Sequence, residues 1–309
     1  MTSTSVNDSP GASLVDGAPR TLGQFTVGPL AFGCWRFITQ PVAQATALLE
    51  AALDAGMNLV DNADVYGLDW DGTGFGTNEE MLGKVLADQP GLRDRMVLAT
   101  KGGILPPTPY NSGASYLVKA CEDSLARLGV EVIDLYQIHR PDFYTHPEEV
   151  ASALSDLRSA GKIKEVGVSN HLASQTDALQ AYLPFPIVAD QPEFSLMATG
   201  ALRDGTLDRC MQHQRVPLAW SPLAGGRLAT GSDVPPELLT VMDELAEREG
   251  VSRAVLAVAF VLAHPSKPVA IVGSQQADRL VEQAAAVNVA LDRDDVYRMI
   301  QAAEGQPLP

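Results

Sequence analysis

From residue 21 onward, apolar and polar positions alternate in two textures. Short apolar runs recur at 29–33 (PLAFG), 58–60 (NLV), 96–100 (MVLAT), 132–138 (VIDLYQI), 165–168 (EVGV), 187–189 (IVA), 216–219 (VPLA) and 268–272 (PVAIV). Between them lie longer stretches in which apolar residues return at helical spacing: 43–55, 79–88, 116–128, 147–160, 173–182, 252–263 and 277–287. The short runs fit strands, and the spacing of the long ones fits one buried face of a helix. The helix ends are marked too. The stretch 43–55 stops at Gly56, while 147–160 opens on Pro147, Glu148 and Glu149 and stops at Gly161. Proline and acids suit a first turn, and glycine suits a C-terminal stop.

Strand-then-helix alternation predicts parallel strands joined by crossover helices. Eight apolar runs predict an α/β fold closed as a (β/α)8 TIM barrel, which typically takes about 250 residues. No G-x-G-x-x-G follows the first run, which argues against an open dinucleotide-binding sheet. Residues 21–28 (TLGQFTVG) predict a hairpin ahead of the barrel, and 235–249 and 293–303 predict two extra helices. Residues 1–20, rich in Ser, Gly, Pro and Asp, read as a disordered tail, and 21–309 as one domain.

Composition narrows the classes. No stretch approaches 18 consecutive apolar residues, so a membrane span is not expected. The N-terminus lacks the basic and apolar regions of a secretory signal. Cys34, Cys121 and Cys210 make an odd set with no C-x-x-C, which suits a reducing, cytoplasmic setting without a disulfide framework or structural zinc. A net charge of −16 repels nucleic acid and anionic membranes. The same field requires a local basic pocket for any anionic cofactor.

The sharpest signal is what ends each run. The second ends in Asp61, the third in Lys101, the fourth in His139-Arg140, the fifth in Ser169-Asn170, the sixth in Asp190-Gln191, the seventh in Trp220-Ser221 and the eighth in Gly273-Ser274. In a parallel barrel these ends converge on the C-terminal face, where barrel enzymes keep their sites. Asp61 and Tyr66 stand five apart in DNADVYG. A phenol titrates near about 10, too high for efficient proton donation at neutrality. A neighbouring ammonium lowers it; Lys101 is placed to supply that charge, with Asp61 positioning Lys101 and His139 orienting a carbonyl oxygen.

At these residues the chain resembles the aldo-keto reductase family, from about residue 22 to 301. The resemblance implies a catalytic tetrad of Asp61, Tyr66, Lys101 and His139, NADPH as cofactor, and a small-molecule carbonyl substrate reduced by hydride transfer with a tyrosine proton donor. GVSNH (167–171) resembles the family's G-V-S-N, so that Ser169, Asn170 and Gln191 would clamp the nicotinamide carboxamide and Trp220 would stack on its ring. Ser221, Leu223 and Gly225 match the loop over the pyrophosphate. Gly273 and IVGSQQADRLVEQ (271–283) resemble the 2′-phosphate segment, with Ser274 and Arg279 on that phosphate and Glu282 and Gln283 on the adenosine. No metal is implied, and a monomer is the expectation. His171 departs from the usual aromatic, Gln275 and Gln276 stand where some members are basic, and the loop 67–78 is longer than usual.

Trp35 reads as a wall of the substrate pocket, joined by Trp70, Phe75, Phe143 and Tyr144. The spacing at Asp69, Asp71 and Glu80 approaches a calcium loop but lacks the acid or amide at its fifth position. Two other readings stay open: an NADPH-binding redox-sensing subunit of a larger complex, and an aldolase with a Schiff base on Lys101.

Overall fold

A computed structural model describes residues 12–37, 41–68 and 72–308. The expectations for residues 1–11, for Trp70 and for the calcium-like pair Asp69 and Asp71 lie outside the described residues. Strands β1 (Arg20–Leu22) and β2 (Phe25–Val27) form an antiparallel hairpin. Then β3 (Leu30–Gly33), α1 (Val42–Asp54), β4 (Leu59–Asp61), α2 (Thr77–Asp88), β5 (Val97–Gly102), α3 (Ala114–Leu128), β6 (Ile133–Ile138), α4 (Pro147–Ser159), β7 (Ile163–Ser169), α5 (Ala173–Gln180), β8 (Ile187–Gln191), α6 (Thr206–His213) and β9 (Val216–Ala219) alternate. The short α7 (Arg227–Thr230), α8 (Pro236–Glu249) and α9 (Arg253–Leu262) precede β10 (Val269–Val272), and α10 (Ala277–Ala284) and α11 (Arg293–Glu304) follow it. The eight strands β3 to β10 pair in parallel and close, β10 returning to β3. This is the TIM barrel with hairpin and extra helices that the pattern predicts; α8 and α11 pack on each other.

Two apolar cores follow from the alternation of strand side chains. Ala31, Leu59, Ala99, Leu135, Ala189, Leu218 and Ile271 fill the barrel interior together with Leu22 and Val27 of the hairpin, which plugs the lower end. Their neighbours Phe32, Val60, Leu98, Tyr136, Val168 and Val272 point outward into the core beneath the helices. The hairpin is held by buried Glu165, whose Oε1 accepts from Gln24 N at 3.1 Å. Lys164 and Glu165 interrupt the apolar run, so β7 begins two residues before the predicted 165.

Other differences have local causes. Helix α6 was not legible because its buried side is only Thr206, Leu207 and Cys210. The predicted 277–287 helix ends at Ala284 and tightens into a 3₁₀ turn over Ala285–Asn288. Residues 12–20, expected to be disordered, are tied down. Leu14 N donates to Leu291 O at 2.7 Å and Asp16 N to Leu262 O at 3.2 Å. The Asp16 carboxylate then pairs with Arg20 at 3.2 Å and Lys267 at 3.1 Å. Among the described residues, no helix is long and apolar enough to cross a membrane.

Candidate active site

The register of the barrel assembles the site. β4 pairs with β5 and β5 with β6, so Asp61, Lys101 and the residue after β6, His139, reach the same rim. The turn after β4 returns Tyr66 to that rim: Asp64 N donates to Lys101 O at 3.0 Å and Tyr66 N to Ala63 O at 3.2 Å. Asn78, at the start of α2, donates its side-chain amide to Trp35 O at 3.0 Å, which ties the far end of the loop to the end of β3.

Lys101 is completely buried. Its Nζ donates to Asp61 Oδ2 at 2.7 Å, to Asn62 O at 2.9 Å and to the Tyr66 hydroxyl at 3.1 Å. Those bonds use every proton an ammonium has. Burial alone would depress the Lys101 pKa, but the Asp61 carboxylate and the Tyr66 oxygen outweigh it and hold it above the ordinary lysine value. For Tyr66 the balance differs from the sequence expectation. Burial pushes the phenol above its ordinary value, and the opposing pull of Lys101 does not fully cancel it. Sequence position gives the ammonium but not the depth at which the phenol sits. The His139 ring meets Tyr66 edge-on, with centroids 5.7 Å apart. Burial, with Lys101 and Arg140 nearby, holds its pKa well below the ordinary histidine value, so the imidazole is neutral at neutral pH. A neutral imidazole keeps one N–H to donate.

The second cluster joins the first. Ser169 Oγ donates to Gln191 O at 3.0 Å, Asn170 Nδ2 to Ser169 Oγ at 2.8 Å, and Trp220 Nε1 to Asn170 Oδ1 at 2.9 Å. Asn170 sits at φ 56, a left-handed conformation that asparagine tolerates better than most residues. His171 Nδ1 lies 2.9 Å from Ser169 O. Gln191, expected in the carboxamide clamp, donates its Nε2–H to Asp61 Oδ1 at 3.0 Å. Gln137, which sequence reasoning missed, donates to the same oxygen at 3.1 Å. Its signal was strand parity: Leu135, Gln137 and His139 alternate on one face of β6, so a polar residue pointed into the barrel.

The remaining predicted residues form an outer arc. After Trp220 the chain passes through Ser221 (φ 55), Ala224 (φ 50), Gly225 (φ 71) and Gly226 (φ 102). Ser221 Oγ accepts from Gly225 N at 3.0 Å, and Leu223 O accepts from Gly226 N at 2.9 Å. Gly273, Arg279 and Glu282 are exposed and Ser274 is half-buried. No hydrogen bond among the described residues links these four to the tetrad. Gln283 is 3% exposed, and its Oε1 is buried without a partner. An orphaned acceptor there fits a ligand amino group, as adenine carries. Trp35 stands on the rim, 39% exposed, with the Arg36 guanidinium 6.0 Å from its ring centre. Tyr144 is 99% exposed and Phe143 70% exposed. Phe75 packs under Arg127 at 5.7 Å, beside α3.

A profile of the Aldo/keto reductase family matches residues 29–304. The chain is 48% identical over 295 residues to a 6-dehydroglucose reductase of Novosphingobium aromaticivorans, covering 94% of this chain and 97% of that one. It is 33% identical to a 6-dehydroglucose reductase of Agrobacterium fabrum, covering 90% and 94%. A crystal structure of an aldo/keto reductase from Klebsiella pneumoniae in complex with NADP and acetate superposes with TM-score 0.76 at 27% identity, covering 96% of this chain and 97% of that one. The chain belongs to the aldo/keto reductase family, as an NAD(P)H-dependent oxidoreductase acting on carbonyl or alcohol groups.

Proposed function

We propose that the protein reduces an aldehyde to the primary alcohol with NADPH, and that Tyr66 gives the proton to the carbonyl oxygen. The observation that carries this reading is the completely buried Lys101, 3.1 Å from the Tyr66 hydroxyl and 2.7 Å from Asp61. An ammonium with its protons all committed stabilises the phenolate left behind when Tyr66 donates. Asp61 keeps that ammonium in place, and the neutral His139 donates its N–H to the substrate oxygen and orients the carbonyl. NADPH, when bound, supplies the hydride. Ser169, Asn170, Gln191 and Trp220 would hold its nicotinamide end, and Ser221, Leu223 and Gly225 its pyrophosphate. Gly273, Ser274 and Arg279 would hold the 2′-phosphate, with Glu282 and Gln283 at the adenosine. The orphaned Gln283 acceptor supports that placement.

The two 6-dehydroglucose reductases among the relatives support a sugar aldehyde as the substrate class. Trp35 would form one wall of its pocket. The test is NADPH consumption against a panel containing the C6 aldehyde of glucose, simple aldehydes and ketones, repeated with NADH. The reading expects the sugar aldehyde to turn over fastest and NADPH to be preferred. Binding of NADPH with reduction of nothing in the panel would contradict it.

A further inference from the structure

Asp61 is gripped at both oxygens, and the second grip has no counterpart in the predicted tetrad. Oδ2 faces Lys101. Oδ1 accepts from Gln137 Nε2 at 3.1 Å and from Gln191 Nε2 at 3.0 Å, and Gln191 Nε2 also reaches Gln137 Oε1 at 3.2 Å. Gln137 is completely buried and Gln191 is 2% exposed. Gln137 stands in register with Lys101 on β5 and with Gly167 on β7. A Cβ at Gly167 would lie 3.0 Å from Gln137 Cγ, so the missing side chain there is the room the glutamine uses. The layer next to it is apolar, with Ala99, Leu135 and Ala189. A lone amide in that interior is costly unless both its ends are bonded, and here both are.

We propose that Gln137 is a positioning residue for the reaction: with Gln191 it fixes the inner oxygen of Asp61, so that the outer oxygen holds Lys101 against Tyr66, and it links that ion pair to the shelf of Ser169, Asn170, Gln191 and Trp220 that would hold the nicotinamide. The inference rests on the reading of Tyr66 as proton donor. Gln191 spends its Nε2 on Asp61 and Gln137, and its Oε1 accepts no hydrogen bond among the described residues. A donor arriving at that Oε1, as a carboxamide N–H would, polarises the Nε2–H toward Asp61. Filling the shelf and tuning Tyr66 are thereby coupled, and the coupling is reciprocal. The groups facing Tyr66 are Lys101 from β5, Asp61 from β4, Cys34 from the end of β3 and His139 from the end of β6. Loss of the Gln137 amide leaves Asp61 less neutralised and so raises the proton affinity of Tyr66.

The test is tyrosinate absorbance titrated against pH in cofactor-free protein, for wild type and Gln137→Leu. The contribution of Tyr66 is isolated by subtracting the titration of Tyr66→Phe, and folding is checked by thermal melting. Gln137→Met serves if the leucine variant does not fold. The proposal expects the Tyr66 midpoint to move up by about one pH unit in the variant, as loss of one charge-assisted donor implies. It expects kcat to fall about tenfold with the KM for the carbonyl little changed. It also expects addition of NADP⁺ to shift the midpoint less in the variant than in wild type. A folded variant with the wild-type midpoint and the wild-type response to NADP⁺ overturns it. Full turnover by Tyr66→Phe would instead overturn the proton-donor reading, so the two failures are distinguishable.

Discussion

The two sides of the barrel rim are finished to different degrees. Around β4 and β5 the ion pair of Asp61 and Lys101 is buried and bonded on every side, with Lys101 linked at 2.7, 2.9 and 3.1 Å. Around the loop after β10, by contrast, the Ser274 hydroxyl is bonded among the described residues only to its own turn, at Gln276 O and Gln276 N, and Arg279 and Glu282 face solvent. The contrast fits what each side would do on the proposed reading. A charge that must stabilise a transition state is worth most when it is fixed in a dry site before substrate arrives. A group that only captures an anion costs little to leave hydrated until the anion comes. On the proposed reading, folding completes the side that would donate the proton, while the cofactor would complete the other.

Breaking the finished side is predicted to have the largest effect. Lys101→Met leaves Asp61 buried without its cation, a loss worth about 3–5 kcal/mol of stability. Turnover should drop by about two to four orders of magnitude, the range that acid–base assistance supplies; melting and single-turnover reduction check both. A smaller effect is expected at His171, whose Nδ1 lies 2.9 Å from Ser169 O and where burial pushes the pKa down to about 4. The unfolded chain takes up this proton near pH 6.5 and the fold resists it. The resulting stability is therefore full above about pH 6.5 and is lost as pH falls toward 4, in total about 3 kcal/mol. Melting temperature against pH should fall through that window in wild type and less steeply in His171→Phe; equal slopes would count against the assignment. The smallest effect is expected on the unfinished side. Arg279→Ala should raise the KM for NADPH by about ten- to a hundredfold, the worth of a charge-assisted phosphate contact, with kcat unchanged. A loss in kcat alone would erase the contrast between the two sides.

Sequence and structure agree most closely where chemistry sits at a strand end. Asp61, Lys101, His139, Ser169 and Gln191 each close an apolar run, and a barrel brings run ends together whatever the loops do. Gln137 was hidden because it lies inside an apolar run, where only strand parity marks it as inward-facing. Helix α6 is short and polar apart from Leu207, Cys210 and Met211, so it makes no run long enough to stand out. The docking of residues 12–20 depends on Leu291, Leu262 and Lys267, far away in the chain, and no local pattern encodes such contacts. The balance at Tyr66 was invisible for a related reason: the opposing effect of Lys101 is readable from residue types, but the burial that outweighs it is a property of the folded rim.

On the proposed reading, Tyr66 gives its proton to the carbonyl oxygen of the substrate, while other residues hold the cofactor. The most direct measurement is NADPH affinity, by tryptophan fluorescence, together with single-turnover reduction of an aldehyde by Tyr66→Phe. The account predicts NADPH binding within about twofold of wild type and a reduction rate lower by about two to four orders of magnitude. A variant that binds NADPH and reduces the aldehyde at the wild-type rate would contradict it.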